Sequence, residues 1–213
     1  MKIENMPKLK SPFIRKMINN KYVVTPEIEE GYDWVFKGDE NEVLCTEKLD
    51  GTDVSIIIEN GRITRVFNRT TEIPFFNKGK KFITEGILES YCRGYCNFTD
   101  GQYFGEVIGP KLQRNPYKLD KHLWIPFLTY VREKLTYRSW HKYPKTFDNI
   151  SKWFRLPVSE GGIFSLFMRR REVIEKPEGV VFHNLKTGMM AKLRLDMYDW
   201  FYKQNSKVKE HKR

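Results

Sequence analysis

The chain of 213 residues carries 38 Lys and Arg against 27 Asp and Glu, a formal charge of +11, and 15% of its residues are aromatic. That length can bury a substantial core in one large domain or two small ones, and the excess of cations favours a polyanionic partner, because Lys and Arg neutralise phosphates and release counterions. Cys45, Cys92 and Cys96 are odd in number and lack a second metal-ligand pair, no apolar run approaches the ~20 residues of a membrane span, and Met1-Lys2-Ile3-Glu4-Asn5 lacks the apolar core of a signal peptide, so the expectations are a reducing, cytoplasmic setting without zinc, disulfides or membrane.

Residues 1–42 contain Pro7, Pro12 and Pro26 among mixed charges, which predicts short helical or irregular pieces packed on a sheet, with Gly31–Phe36 a strand or a tucked-in loop. Val43–Thr46 is short and β-prone, and Val54–Ile58 is nearly all β-branched, ending at the hairpin dipeptide Asn60-Gly61. Between these two strands lies Glu47-Lys48-Leu49-Asp50-Gly51-Thr52, which sets Lys48 at the rim of a sheet where Gly51 lets a ligand approach the backbone. Arg62–Phe67 alternates with period two, placing Arg62, Thr64 and Val66 on one face and delivering Asn68-Arg69-Thr70 to the sheet edge. From Lys78 to about Tyr95, Phe82, Ile83, Ile87, Leu88 and Tyr91 recur at helical spacing, with Gly94 as the stop.

Gly101–Pro110 reads as a strand with small residues and one carboxylate, Glu106, in an apolar run; such a group needs a cation or a ligand hydroxyl. Leu123–Leu128 is a further strand in which Pro126 implies an edge or bulge. Between about Val131 and Pro157, Arg132, Lys134, Arg138, Lys142, Lys145, Lys152 and Arg155 interleave with Tyr137, Trp140, Tyr143, Trp153 and Phe154, a pattern suited to phosphates and stacked bases or to an amphipathic helix with a basic face. Glu178–His183, a turn at Lys186-Thr187-Gly188 and Met190–Leu195 form a hairpin. Lys192 and Arg194 project from one face of its second strand, which asks for an anion between them. From Phe201 the chain is a basic tail expected to fray.

Taken in order, Glu47-Lys48-Leu49-Asp50-Gly51, Arg69, Phe104-Gly105-Glu106, Glu178-Gly179-Val180-Val181 and Lys192-Leu193-Arg194 resemble the covalent nucleotidyltransferase superfamily of ATP-dependent ligases and mRNA capping enzymes. Gly105–Pro110 followed by Gln113 and Tyr117 looks most like its phage-type RNA ligases. The resemblance implies an α+β nucleotidyltransferase domain over 1–213, with antiparallel sheets, flanking helices, an N-terminal segment (1–42) packed on it and a basic tail (196–213). About twenty residues after Arg194 are too few for a C-terminal OB domain.

By the same resemblance Lys48 is the nucleophile that takes AMP from ATP, and a free lysine, with a reference pKa of ~10.4, needs neighbouring cations and partial desolvation to react near neutral pH. Lys192 and Arg194 hold the transferring phosphate, with Arg194 a departure from the family's usual Lys. Glu47, Gly51 and Arg69 join the nucleotide-binding set, Glu106 engages the ribose, Glu178 places Mg²⁺ or Mn²⁺, and Phe127, or else Trp124, stacks on the base. The implied reaction joins RNA 5′-phosphate and 3′-hydroxyl ends through lysyl-AMP and an adenylylated RNA end. A capping guanylyltransferase, a DNA ligase and a non-catalytic RNA-binding relative are the rival readings.

Overall fold

The computed structural model describes residues 2–203. Where the prolines predict irregular pieces, the chain forms a β-hairpin: β1 (Phe13–Ile18) pairs antiparallel with β2 (Lys21–Ile28). Its turn residues Asn19 and Asn20 both have positive φ, 50° and 58°, which Asn tolerates and which matches the twist of the flanking strands. A helical turn, α1 (Trp34–Lys37), replaces the strand or loop expected at Gly31–Phe36. β3 (Val43–Lys48) follows. The chain then enters a second compact unit, which comprises Leu49–Leu135 with the first eight residues; the first unit comprises Leu9–Lys48 and the chain from Thr136 onward.

The Leu49–Leu135 unit is built from β4 (Thr52–Glu59), β5 (Arg62–Asn68), β6 (Thr71–Glu72), α2 (Lys81–Cys92), β7 (Gly101–Ile108) and β8 (Leu123–Pro126). Its five strands form an antiparallel sheet in the order β6-β5-β4-β7-β8. Asn60 and Gly61, both at positive φ, make the β4–β5 turn. A bulge between Ile57 and Ile58 leaves Thr64 unpaired, so Val66 shares the core face with Ile63 rather than with Thr64 as strict alternation predicts. Val54, Ile56, Ile58, Val66, Val107 and Trp124 of the sheet pack with Ile83 and Ile87 of α2. The buried face of α2 is Ile83, Gly86, Ile87 and Ser90, whereas Leu88 and Tyr91, expected in the core, are exposed. Gly105 is glycine because a Cβ there would lie 2.6 Å from the Trp124 ring. Pro126 ends β8 on the sheet edge, where its missing N–H costs no ladder bond, and Phe127 and Leu128 turn into a π-helical segment (Phe127–Val131) leading to α3 (Arg132–Lys134).

The returning chain adds α4 (Phe147–Arg155), α5 (Leu166–Arg169), β9 (Gly179–Asn184) and β10 (Met190–Arg194) to the first unit. β3, β9 and β10 form an antiparallel sheet in the order β10-β9-β3. Its inner face, Val43, Cys45, Val180, Phe182, Ala191 and Leu193, packs on Trp140, Trp153 and Phe154. The aromatic residues of 137–154 are therefore mainly core, with Trp140 and Phe154 at 0% exposure, and cannot be the stacking platform that their interleaving with cations predicts. α4 has Thr146 as N-cap, its hydroxyl accepting from Asn149 N, and Lys176 Nζ donates to the Phe154 and Arg155 carbonyls at the other end. Residues 199–203 are helical, so the tail is ordered where it begins; Lys207, Lys209, Lys212 and Arg213 lie outside the described residues. The whole is α+β with antiparallel sheets and flanking helices, and among the described residues no helix is long and apolar enough to cross a membrane.

Candidate active site

Strand alternation puts Thr46 and Lys48 on the outer face of the three-stranded sheet. Gly179 is the register partner of both Lys48 and Arg194, so it lies between them in one row across the sheet, and Val181 lies between Thr46 and Lys192 in the next. Glycine is required in that row, since a Cβ on residue 179 would come 2.2 Å from the Leu193 carbonyl oxygen. Lys48 Nζ donates to Glu178 Oε2 at 2.5 Å, and Glu178 Oε1 accepts from Arg194 Nη1 at 3.2 Å. One carboxylate thus bridges two cations, where the pattern of Lys192 and Arg194 asked for an anion. Arg194 Nη2 also donates to Asp196 Oδ2 at 2.8 Å, a partner that the sequence reading missed although it sits two residues further on.

The arrangement is partly open: Lys48, Glu178 and Arg194 side chains keep 21%, 17% and 31% of their exposure, enough for a ligand to reach them. Lys192 is held below the usual lysine range, first by burial and then by the charges of Lys48, Arg194 and Arg15, with Glu178 opposing. Thr46, also on this face, has its hydroxyl 3.0 Å from His183 Nε2.

Glu47 does not join this face. Adjacent strand residues point oppositely, and Glu47 is 1% exposed on the inner side, with Ser165 Oγ donating to Oε1 at 2.5 Å and Phe167 N to Oε2 at 2.8 Å. It anchors the start of α5 behind the sheet rather than binding a nucleotide in front of it. Burial, opposed by bonds from Ser165, Phe167 and Leu166, pushes its pKa from 4.5 to about 7. A carboxyl whose value is raised on folding stabilises most below pH 4.5 and loses that contribution as pH rises toward 7, on the order of 3 kcal/mol in all. Glu47→Gln should flatten the fall in unfolding free energy between pH 5 and pH 8. An unchanged slope in denaturant titrations at the two pH values would reject this origin for it.

The remaining sequence-derived site residues belong to the Leu49–Leu135 unit. Asp50 N donates to the Tyr117 hydroxyl at 2.6 Å, and Gln113 Nε2 reaches the Gly51 carbonyl at 3.5 Å, so Gln113 and Tyr117 brace the turn after Lys48. Gly51 is glycine because a Cβ would lie 2.2 Å from the Val107 carbonyl; its close neighbour is β7, not a ligand as expected. Glu106 is 9% exposed and pairs across the ladder with Asp53. Arg69 is exposed in the β5–β6 turn at φ 56°, next to Asn68, whose side-chain amide donates to the Asp53 carbonyl. Trp124 is fully buried with Nε1 donating to the Val54 carbonyl, so it has no face to offer a base; Phe127 is half-buried.

The family model described as RNA ligase matches residues 41–194. Among curated protein sequences none matches. Solved structures of the Naegleria gruberi RNA ligase are similar. A variant with ATP and Mn has TM-score 0.50 and 17% identity over 92% of this chain and 62% of that one. An apo variant gives 0.48 and 15% over 93% and 63%, and the form with PPi 0.47 and 15% over 97% and 64%. The first of these carries the fold alone. The chain spans less than two thirds of the length of those ligase chains.

Proposed function

Because the chain belongs to the RNA ligase family, we propose that it joins RNA 5′-phosphate and 3′-hydroxyl ends in an ATP-dependent reaction with Lys48 as nucleophile. The observation that carries this reading is Lys48 at the open rim of the β10-β9-β3 sheet, sharing Glu178 with Arg194 beside the partly desolvated Lys192. The Lys48 amine attacks the α-phosphate of ATP, an N–P bond forms and pyrophosphate leaves. AMP then passes to the 5′-phosphate of RNA, and a 3′-hydroxyl displaces it to close the phosphodiester. Lys192 and Arg194 stabilise charge on the transferring phosphoryl oxygens, and positioning does most of the rest.

Among the described residues no cluster of three or more His, Cys, Asp or Glu could hold a metal ion on its own. Glu178 as a single carboxylate suits Mg²⁺ or Mn²⁺, which bind through one or two carboxylates, water and substrate phosphates. Such an ion supplies charge neutralisation at those phosphates. Glu106 for the ribose hydroxyls, Arg69 for phosphate or ribose, and Phe127 for the base follow from their order in the motif set. For RNA, the exposed cations of the 131–157 segment are Lys134, Arg138, Lys142, Lys152 and Arg155; Lys145 is held over the Trp140 ring at 5.6 Å. The test is incubation of the protein with Mg²⁺, ATP labelled in the α-phosphate, and 5′-phosphorylated RNA or DNA. Acid-stable label on the protein from ATP but not GTP, and sealing of RNA in preference to DNA, are expected. Label from GTP alone would make it a guanylyltransferase, and equal sealing of all-DNA nicks a DNA ligase.

A further inference from the structure

The N-terminal hairpin lies outside the residues matched by the family. All residues from Arg15 to Tyr22 are exposed, on both strands and at the turn. They include Arg15, Lys16 and Lys21, and no Asp or Glu occurs between Phe13 and Pro26. Met17 and Tyr22 are each 55% exposed and Ile18 42%, large apolar groups for a two-stranded ribbon, while Lys21 at its tip lies over the Tyr202 ring at 3.7 Å. Two strands alone are marginal, yet this pair is held firmly at its base. Phe13 packs against Phe36 and Phe147 at 4.9 and 5.1 Å between ring centroids, and the residues before it run beside β10, where Lys192 N donates to the Lys10 carbonyl at 2.8 Å. The Arg15 guanidinium sits 5.8 Å from the Tyr22 ring centroid and donates to the Tyr22 carbonyl, which fixes it on the ribbon. Its charge reaches Lys192 together with those of Lys48 and Arg194. The cationic character of the sheet's outer face thus continues onto the hairpin.

We propose that the β1–β2 hairpin is a further RNA-binding element, its Arg15–Tyr22 ribbon holding the phosphate backbone and an unpaired base of the strand presented to Lys48. The inference rests on the RNA-ligase reading for its substrate class. Cations spaced among an exposed aromatic and flexible apolar side chains, with no carboxylate on the ribbon tip, match a single strand, which offers phosphates and base faces together. An acidic protein surface would match the charge and offers aromatic faces only here and there, whereas every unpaired base of a single strand offers one beside its phosphate. Lys16 is also paired with Glu27 at the base of β2, so its full charge reaches RNA only when that exposed pair opens.

The deciding variant is Lys16→Ala/Lys21→Ala/Tyr22→Ala in the full chain, with Arg15 left in place because its charge acts on Lys192. Two readouts are needed: binding of 5′-phosphorylated single-stranded RNA over a range of salt concentrations, and protein labelling by ATP without RNA. RNA affinity should fall about tenfold or more and the log–log salt slope should shrink by about 1.4, two cations at ~0.7 each for a single strand. Labelling should equal that of the unaltered protein. Unchanged affinity and slope would overturn the proposal, as would equal loss of labelling and RNA binding, which makes the hairpin a support of the fold. If the unaltered protein takes no label, the nucleophile reading fails separately, and the RNA-binding arm still decides the hairpin.

Discussion

Lys48→Ala is expected to leave no AMP on the protein after incubation with labelled ATP and Mg²⁺, a loss of more than ~10³-fold, because no other group can replace a nucleophile that forms the covalent bond. The more informative variant is Lys48→Arg. A guanidinium can keep the ion pair with Glu178, so the sheet rim and the unfolding midpoint should be nearly unchanged. Arginine does not deprotonate in proteins, however, and cannot attack phosphorus. Loss of labelling in a variant of normal stability separates chemistry from structure. Label retained by Lys48→Ala would move the nucleophile elsewhere.

Glu178→Ala and Lys192→Ala should each lower adenylylation by more than about tenfold, ~1.4 kcal/mol of barrier, which is within reach of one charged contact. Their effects on stability should be opposite. Without Glu178, Lys48, Lys192 and Arg194 are left close together with the bridging carboxylate gone, so the unfolding midpoint falls and added salt restores part of it by screening. Without Lys192, a partly desolvated cation repelled by its neighbours is removed, and the folded state gains. Denaturation curves at low and high salt, run beside the labelling assay, test both signs. Activity at the unaltered level in both folded variants would make the hairpin of β9 and β10 structural.

What the sequence revealed and what it concealed divide along the range of the forces involved. Lys48, Lys192 and Arg194 were legible because alternation along β3 and β10 is local and puts all three on one face, and Glu178, just before β9, reaches Lys48 and Arg194 there. The same alternation excludes Glu47 from that face, a conclusion that proximity to Lys48 in the motif hides. The Asn19-Asn20 hairpin was legible in principle, since paired Asn at positive φ is a turn signal, but the nearby prolines obscured it. Tertiary packing decided the rest. No local pattern announces the bulge at Thr64, the bracing of Asp50 by Tyr117, or the burial of Trp140 and Trp153. Cations and rings that alternate in sequence part company in space when the rings turn inward.

The order in which the ribosome delivers these pieces is set by the path of the chain. β3 is made well before its neighbour β9, which begins at Gly179, so the strand that ends in Lys48 waits for more than a hundred further residues before its edge is covered. Leu49–Leu135 forms a compact unit from nearly continuous sequence and can collapse during that interval, since domains fold largely as units as they emerge. The pairing of β3 with β9 closes a loop of more than a hundred residues, a slow kind of contact. A nascent chain therefore carries Lys48 without the Glu178 counter-charge until more than a hundred further residues have been made, and the face proposed for catalysis is the last part of this sheet to be assembled.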